Sequence, residues 1–285
     1  MGSKNELGNF LKACRARRKP EDLGIPVGTG VRRTPGLRRE EISATAGISM
    51  DYYTRLEQGR ERHPSDAVLD ALARVLRLDE AEHQHLHNLA RHAARPPRGT
   101  PEPEREVVRP TVQRLLTSLG GCPAYVLNQS NDVLAANPSG WALLPGIEQW
   151  EPERRNSLRY VFLHPSARTL YVRWHDIAQD SVAHLRSTFG DNPCDPRVTG
   201  LIDELTRRSE EFHAMWQRNE VQPKSAGVKS FNHPSVGRMD LGYEVLAVSG
   251  TQQRLIVYQA PEGSPDEDAM RLLRHVAPAQ RVDVG

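Results

Sequence analysis

Gly47 is the residue that most narrows what this chain can become. It stands in "LRREEISATAGISMDYYTRLEQGR", residues 37–60, between two short helical patterns. Ahead of it, Ile42 and Ala46 lie four residues apart, which puts both on one face of a helix over 39–46. Behind it, Ser49 is placed to cap a second helix running to Gln58, with Tyr53 and Leu56 inward and Gly59 ending it. Gly47 supplies the left-handed or close-packed turn that a residue with a Cβ resists, and Ile48 plugs the core beside it. Two helices joined by so short a turn cross steeply, and the second is held out on a rigid base. Met50, Asp51, Thr54 and Arg55 are then left facing outward. An exposed helix N-terminus on a basic support is the geometry that enters a DNA major groove.

The flanking sequence is helical in the same way. Leu7, Phe10, Leu11 and Cys14 share a face in "NELGNFLKACRARRK". Ser65 caps a helix that brings Val68, Leu69, Leu72, Leu76 and Leu78 to the core, and a further helix over "DEAEHQHLHNLARHA" buries Leu86 and Leu89. Charge supports the assignment: residues 1–100 carry +5 and the rest −3, for a net +2. A basic front on a nearly neutral chain favours a nucleic-acid-facing N-terminal domain.

"EEISATAGISMDYYTRLEQGRERHPS" resembles the helix-turn-helix of the Xre/phage-repressor family, through Ala44, Gly47, Ser49, "RLEQG" at 55–59 and the Pro-Ser step at 64–65. The resemblance covers about 85 residues and implies a five-helix lambda-repressor-like bundle over 1–94. It implies base contacts from Ser49, Met50, Asp51, Thr54 and Arg55. Arg55 can present two parallel donors to guanine, Asp51 can accept from cytosine, and Met50 suits a thymine methyl. Arg38, Arg39, Tyr52, Arg60 and Arg62 are then expected on phosphates, and Arg32 and Arg33 on flanking phosphates or the minor groove.

"ARPPRGTPEPEREVVRP", residues 94–110, is too rich in proline to continue a helix, so a linker is expected over 95–109. Beyond it, Ala124–Leu127 and Val133–Ala136 form a hairpin. Helical stretches follow at Arg155–Leu163, Ser166–Thr188, Pro196–Arg208 and Ser209–Asn219. Strands return with turns at His233-Pro234 and Ser249-Gly250, and a helix over Pro265–Val276 closes an α+β domain spanning 110–285.

The same stretches are similar to the MmyB-like branch of the family. "LAANPSGWALLPG", "RNSLRYVFLHPSARTLY", "RSEEFHAMWQRNEV", "HPSVGRMDLGYEVLAV" and "RLIVYQAPEGSPDEDAMRLL" carry that likeness across nearly the whole chain. It implies a C-terminal PAS-like domain with a fatty acid or similar lipophilic small molecule as ligand and no required cofactor. Asn137, Trp141, Phe162, Tyr171, Trp174, Phe212 and Trp216 are the side chains expected at that ligand. For the polar anchor, Asn137, Arg155, His164 and His213 are not ranked by the sequence. The whole reads as a cytoplasmic transcriptional regulator, nucleoid-associated when bound to an operator. A homodimer on a palindromic duplex is expected, since one motif makes few base contacts.

Other signals are weaker. No run of ~18–20 apolar residues spans a bilayer, and the start lacks a signal-peptide pattern. Cys14, Cys122 and Cys194 fit neither a disulfide framework nor a CxxC site. "VGTGVRRTPG" has the wrong glycine spacing for a dinucleotide loop. His83 and His87 lie four apart on one helix face, but no acid or Cys pattern completes a metal site, so a solvated face is expected. No GxSxG, HExxH or GxxxxGK[ST] occurs, which leaves nothing specific to support an enzyme. Two other readings fit the residues: an enzyme domain tethered to a DNA-binding module, and a ligand-independent regulator whose C-terminal domain only dimerises.

Overall fold

The first five helices are α1 (Glu6–Arg17), α2 (Arg39–Ala46), α3 (Met50–Glu57), α4 (Asp66–Val75) and α5 (Glu80–Ala93). Four of the five begin where the sequence offers a cap: Asn5, Ser49, Ser65 and Asp79 accept from backbone N–H groups at the starts of α1, α3, α4 and α5. Leu7, Phe10, Leu11, Ile42, Tyr53, Leu56, Leu69, Leu72, Leu86 and Leu89 form one core among these helices. Gly47 adopts the left-handed conformation, φ 70°, and its N–H donates to carbonyls of α2, as the sequence requires of the turn. The computed structural model describes residues 5–24, 36–94, 106–221 and 226–276, so Arg32 and Arg33 lie outside the described residues.

One buried carboxylate ties three of these helices together. Glu57, at the end of α3, accepts from Arg15 of α1 (Nη2–Oε1 2.9 Å) and from Arg39 Nε of α2. Its side chain is only 2% exposed, and Arg15 also donates to the Leu37 carbonyl, 2.8 Å away. Arg39, a residue expected on DNA phosphate, directs its Nε at Glu57 and keeps 42% of its side chain exposed.

The later elements are α6 (Pro110–Ser118), β1 (Ala124–Leu127), β2 (Val133–Ala136), α7 (Pro138–Ala142), α8 (Ser157–Leu163), α9 (Ala167–Leu170), α10 (Trp174–Asp191), α11 (Pro196–Arg208), α12 (Glu210–Gln217), β3 (Gly227–His233), β4 (Gly237–Ala247), β5 (Arg254–Gln259) and α13 (Pro265–Val276). The strands make one antiparallel sheet in the order β2-β1-β5-β4-β3. Side chains alternate between its faces. Ala124, Val126, Leu255 and Val257 pack with Val112 and Leu116 of α6 on one face. Tyr125, Tyr258, Lys229 and Phe231 belong to the other. The expected α+β PAS-like domain is therefore present.

Two sequence expectations need correction. The helix expected over Ser166–Thr188 is two, α9 and α10. Tyr171 bridges to Phe231 of β3 and the Val172 N–H donates to the Ser230 carbonyl (3.0 Å), so this stretch adds to the sheet edge instead of continuing a helix. Residues 106–109, counted with the linker, are packed on the sheet domain: Val108 is buried and Gln253 donates to the Val107 carbonyl. The compact units of the fold are not divided at the linker alone. The compact units are Met1–Pro101 with Val182–Asp203 and His213–Pro223, and Glu102–Ser181 with Glu204–Phe212 and Lys224–Gly285.

Within the first unit the later segments are well embedded. A Cβ on Gly190 would come 2.0 Å from Nδ1 of the buried His85 ring. Asn88 donates to the Asp191 carboxylate (2.6 Å) and His92 to its carbonyl (2.8 Å). Arg186 is 3% exposed; its guanidinium lies 3.7 Å from the Trp216 ring centre and 3.8 Å from Glu6. Burial lowers the pKa of Arg186 to about 10 and that of His85 to about 3, so His85 is neutral in ordinary buffers.

Glu57→Ala leaves Arg15 and Arg39 facing an apolar gap and is expected to destabilise the first unit by about 3 kcal/mol. Glu40→Ala, at an exposed pair with Arg38, is expected to change stability by under about 0.5 kcal/mol. Urea unfolding followed by far-ultraviolet circular dichroism checks both. Equal effects would contradict the role given to Glu57.

Candidate functional site

The N-terminal half of α3 is a built projection. Ser49 Oγ accepts from the Tyr52 N–H at 3.1 Å, and the Ile48 N–H donates back to Ser43 in α2. Tyr53, Leu56 and Glu57 bury one side of the helix. The opposite side presents Met50, 55% exposed, together with Asp51 and Arg55, while Thr54 and Tyr52 are half-buried. Arg55 Nε lies 3.5 Å from Asp51 Oδ2, one helical turn away. An exposed pair of this kind contributes only about 0.3–0.5 kcal/mol, so either side chain is easily redirected to a base edge.

Exposed cations flank α2 and α3 along the chain. Arg60 is exposed just past α3, its backbone N–H held by the Arg55 carbonyl. Arg62 is exposed and reaches back to the Gly59 carbonyl at 3.5 Å. Arg38, at the start of α2, pairs with Glu40 on the surface at 3.2 Å. The α3 N-terminus itself carries a partial positive charge.

In the second unit, the sheet face opposite α6 carries a buried polar chain inside an aromatic setting. Tyr125 and Tyr258 hydroxyls lie 2.9 Å apart, and Lys229 Nζ donates to the Tyr258 hydroxyl at 3.1 Å. The ammonium also sits 4.7 Å from the Tyr243 ring centre. Phe231 contacts both Tyr171 and Tyr258. Burial raises the pKa of Tyr125, Tyr171 and Tyr258, so all three stay protonated.

Residues 6–86 match a helix-turn-helix domain family, and residues 108–273 match the family described as the MmyB-like transcription regulator ligand binding domain. The second match takes in more than half of the chain. The chain belongs to the MmyB-like transcription regulators. A comparison with curated proteins found no match. Among the described residues, no helix is long and apolar enough to cross a membrane.

The ligand-binding domain of this MmyB-like regulator distributes the side chains expected at a ligand among several places. Tyr171 joins the tyrosine face of the sheet. Phe162, Trp174 and Phe212 form a separate aromatic group, with ring centres 5.8 and 5.2 Å from Phe162, and Arg168 lies over Trp174. Trp141 is half-buried under the Arg155 guanidinium. Arg155 itself donates to the Trp150 and Glu148 carbonyls.

Two of the expected residues are committed elsewhere. Asn137 accepts from Gly140 and Ala124 N–H groups and donates to the Cys122 and Leu116 carbonyls. An amide side chain has no more capacity than that, so Asn137 is a structural cap joining β1 to α7. Trp216 belongs to the first unit, against Arg186 and Phe189. Lys229 escaped sequence reasoning although its signal was present. It sits in phase with Phe231 and His233 on the inward side of β3, where a charged residue is unexpected.

Proposed function

We propose that this MmyB-like regulator reads duplex DNA with α3, as a dimer on symmetric half-sites, and that a lipophilic acid bound in the C-terminal domain modulates that binding. The carrying observation for DNA is the exposed face of Met50, Asp51 and Arg55 on a helix whose other face is locked by Tyr53, Leu56 and Glu57. Arg55 suits guanine N7 and O6, whereas Asp51 and Met50 suit cytosine and thymine edges. Arg38, Arg60 and Arg62 hold phosphates and set register.

The ligand reading rests on the buried cation. Lys229 lies among Tyr125, Tyr243, Tyr258 and Phe231. A cation with hydroxyl donors beside it, enclosed by aromatic rings, suits a carboxylate on an apolar body. Tyr171 belongs to the same face and is the one expected ligand residue that joins it. Ligand and operator then shift one equilibrium, so each must change the affinity of the other by the same factor.

Arg55→Ala is expected to relax specificity at one base pair, at about 1–3 kcal/mol of discrimination. Arg60→Ala is expected to weaken all sequences alike and lower the salt dependence by about one phosphate contact. Fluorescence anisotropy on specific and random duplexes, across a salt series, separates the two. Equal losses on both duplexes for both variants would refute the assignment.

Lys229→Met keeps the apolar bulk and removes the charge. Tetradecanoic acid is the probe, with binding followed by native mass spectrometry and calorimetry. The variant is expected to bind it at least about tenfold more weakly, or about 1.4 kcal/mol. Unchanged affinity would remove Lys229 as the anchor, and absence of any binding to the unmodified protein would refute the lipophilic-acid reading.

A further inference from the structure

Four side chains of the N-terminal helices converge where the sequence offered only two. Asp66 and Asp70 stand one turn apart on α4, and His83 and His87 one turn apart on α5, so each pair shares a helix face. Both imidazoles point Nε2 at one atom: His83 Nε2 lies 2.9 Å and His87 Nε2 3.0 Å from Asp70 Oδ1. The two rings meet edge to face, 4.7 Å between centres. The missing acid is thus supplied by α4, from thirteen residues upstream of His83.

We infer that Asp70, His83 and His87 form a site for a borderline divalent cation of the Zn²⁺, Ni²⁺ or Co²⁺ class, clamping α4 to α5. One ligand atom from each residue lies within 4.8 Å of the others. Ligands about 2.0–2.1 Å from a tetrahedral ion stand roughly 3.3 Å apart, so side-chain adjustments of tenths of an ångström to about an ångström seat the ion. Two imidazoles and one carboxylate are the donor set of such ions, while Ca²⁺ and Mg²⁺ require mostly oxygen.

The outer contacts agree with this chemistry. His87 Nδ1 lies 3.5 Å from Asp66 Oδ1. A carboxylate on Nδ1 holds the proton there and leaves the Nε2 lone pair for a metal. His83 and Asp70 also border an open depression of about 410 Å³, lined in addition by Arg74, Arg77, Asp79 and Glu80. Solvent therefore reaches the ion and completes its coordination. Arg74 opposes a cation by its charge, and its Nε donates to the Asp70 carbonyl, not to the carboxylate.

The test uses the full chain without a polyhistidine tag, titrated with ZnCl₂ by calorimetry and with Co²⁺ by absorption. The expected result is one saturable equivalent per chain, with a thermal midpoint that rises on adding Zn²⁺. His83→Gln/His87→Gln and Asp70→Asn are each expected to weaken binding at least about tenfold and to abolish the thermal shift, by loss of a direct ligand. His63→Gln, an exposed histidine outside the cluster, should bind as the unmodified chain does. Titration with no saturable equivalent, or an equivalent that survives in the double histidine variant, would overturn the site and leave the cluster as a hydrogen-bonded surface network.

Discussion

A single buried carboxylate decides whether α3 can act as a probe. Glu57 draws guanidinium groups from two other helices, and removing a carboxylate from such a place leaves two cations without compensation. Apolar packing alone, through Tyr53 and Leu56, would hold α3 against the core while tolerating rotation and slip. The ion pairs fix where α3 ends relative to α1 and α2, and Gly47 with Ser49 fixes where it begins. The proposed reading of base edges needs both constraints, since a helix free to roll presents no constant face.

Residues of the later chain also take part in the unit that holds α3. Segments 182–203 and 213–223 lie within the span matched to the ligand-binding family, yet they belong to the compact unit of the N-terminal helices. Gly190, Asp191, Arg186 and Trp216 are fitted against His85, Asn88, His92 and Glu6 with little slack. The DNA-binding helices are therefore completed by residues of the regulatory span.

What could be read in advance follows from the range of the interactions. The α2–turn–α3 element, its caps and its glycine were legible because each rests on residues within four positions of one another. The first hairpin, α11 and α13 were legible through apolar period and turn residues. The break between α9 and α10 was not, because it is set by pairing of Tyr171 with Phe231, sixty residues away. The three backbone partners of Asn137 outside α7, at Leu116, Cys122 and Ala124, lie 13 to 21 residues upstream, so its structural role has no local signature that separates it from a ligand contact. Asp70 could not be joined to His83 and His87 without the packing of α4 on α5. Glu57 could have been found: it follows Tyr53 and Leu56 on the inward stripe of α3, and a buried acid demands cations.

The proposed function turns on whether the outer face of α3 touches nucleobases. Selection of binding sites from random duplex with the purified full chain addresses it most directly, followed by competition between the enriched duplex and its scrambled counterpart at about 150 mM salt. The expected result is a two-fold symmetric sequence that wins by about 10³-fold or more, in the range of specific protein–DNA recognition. Failure to enrich any sequence, or equal affinity for the enriched and scrambled duplexes, would contradict it.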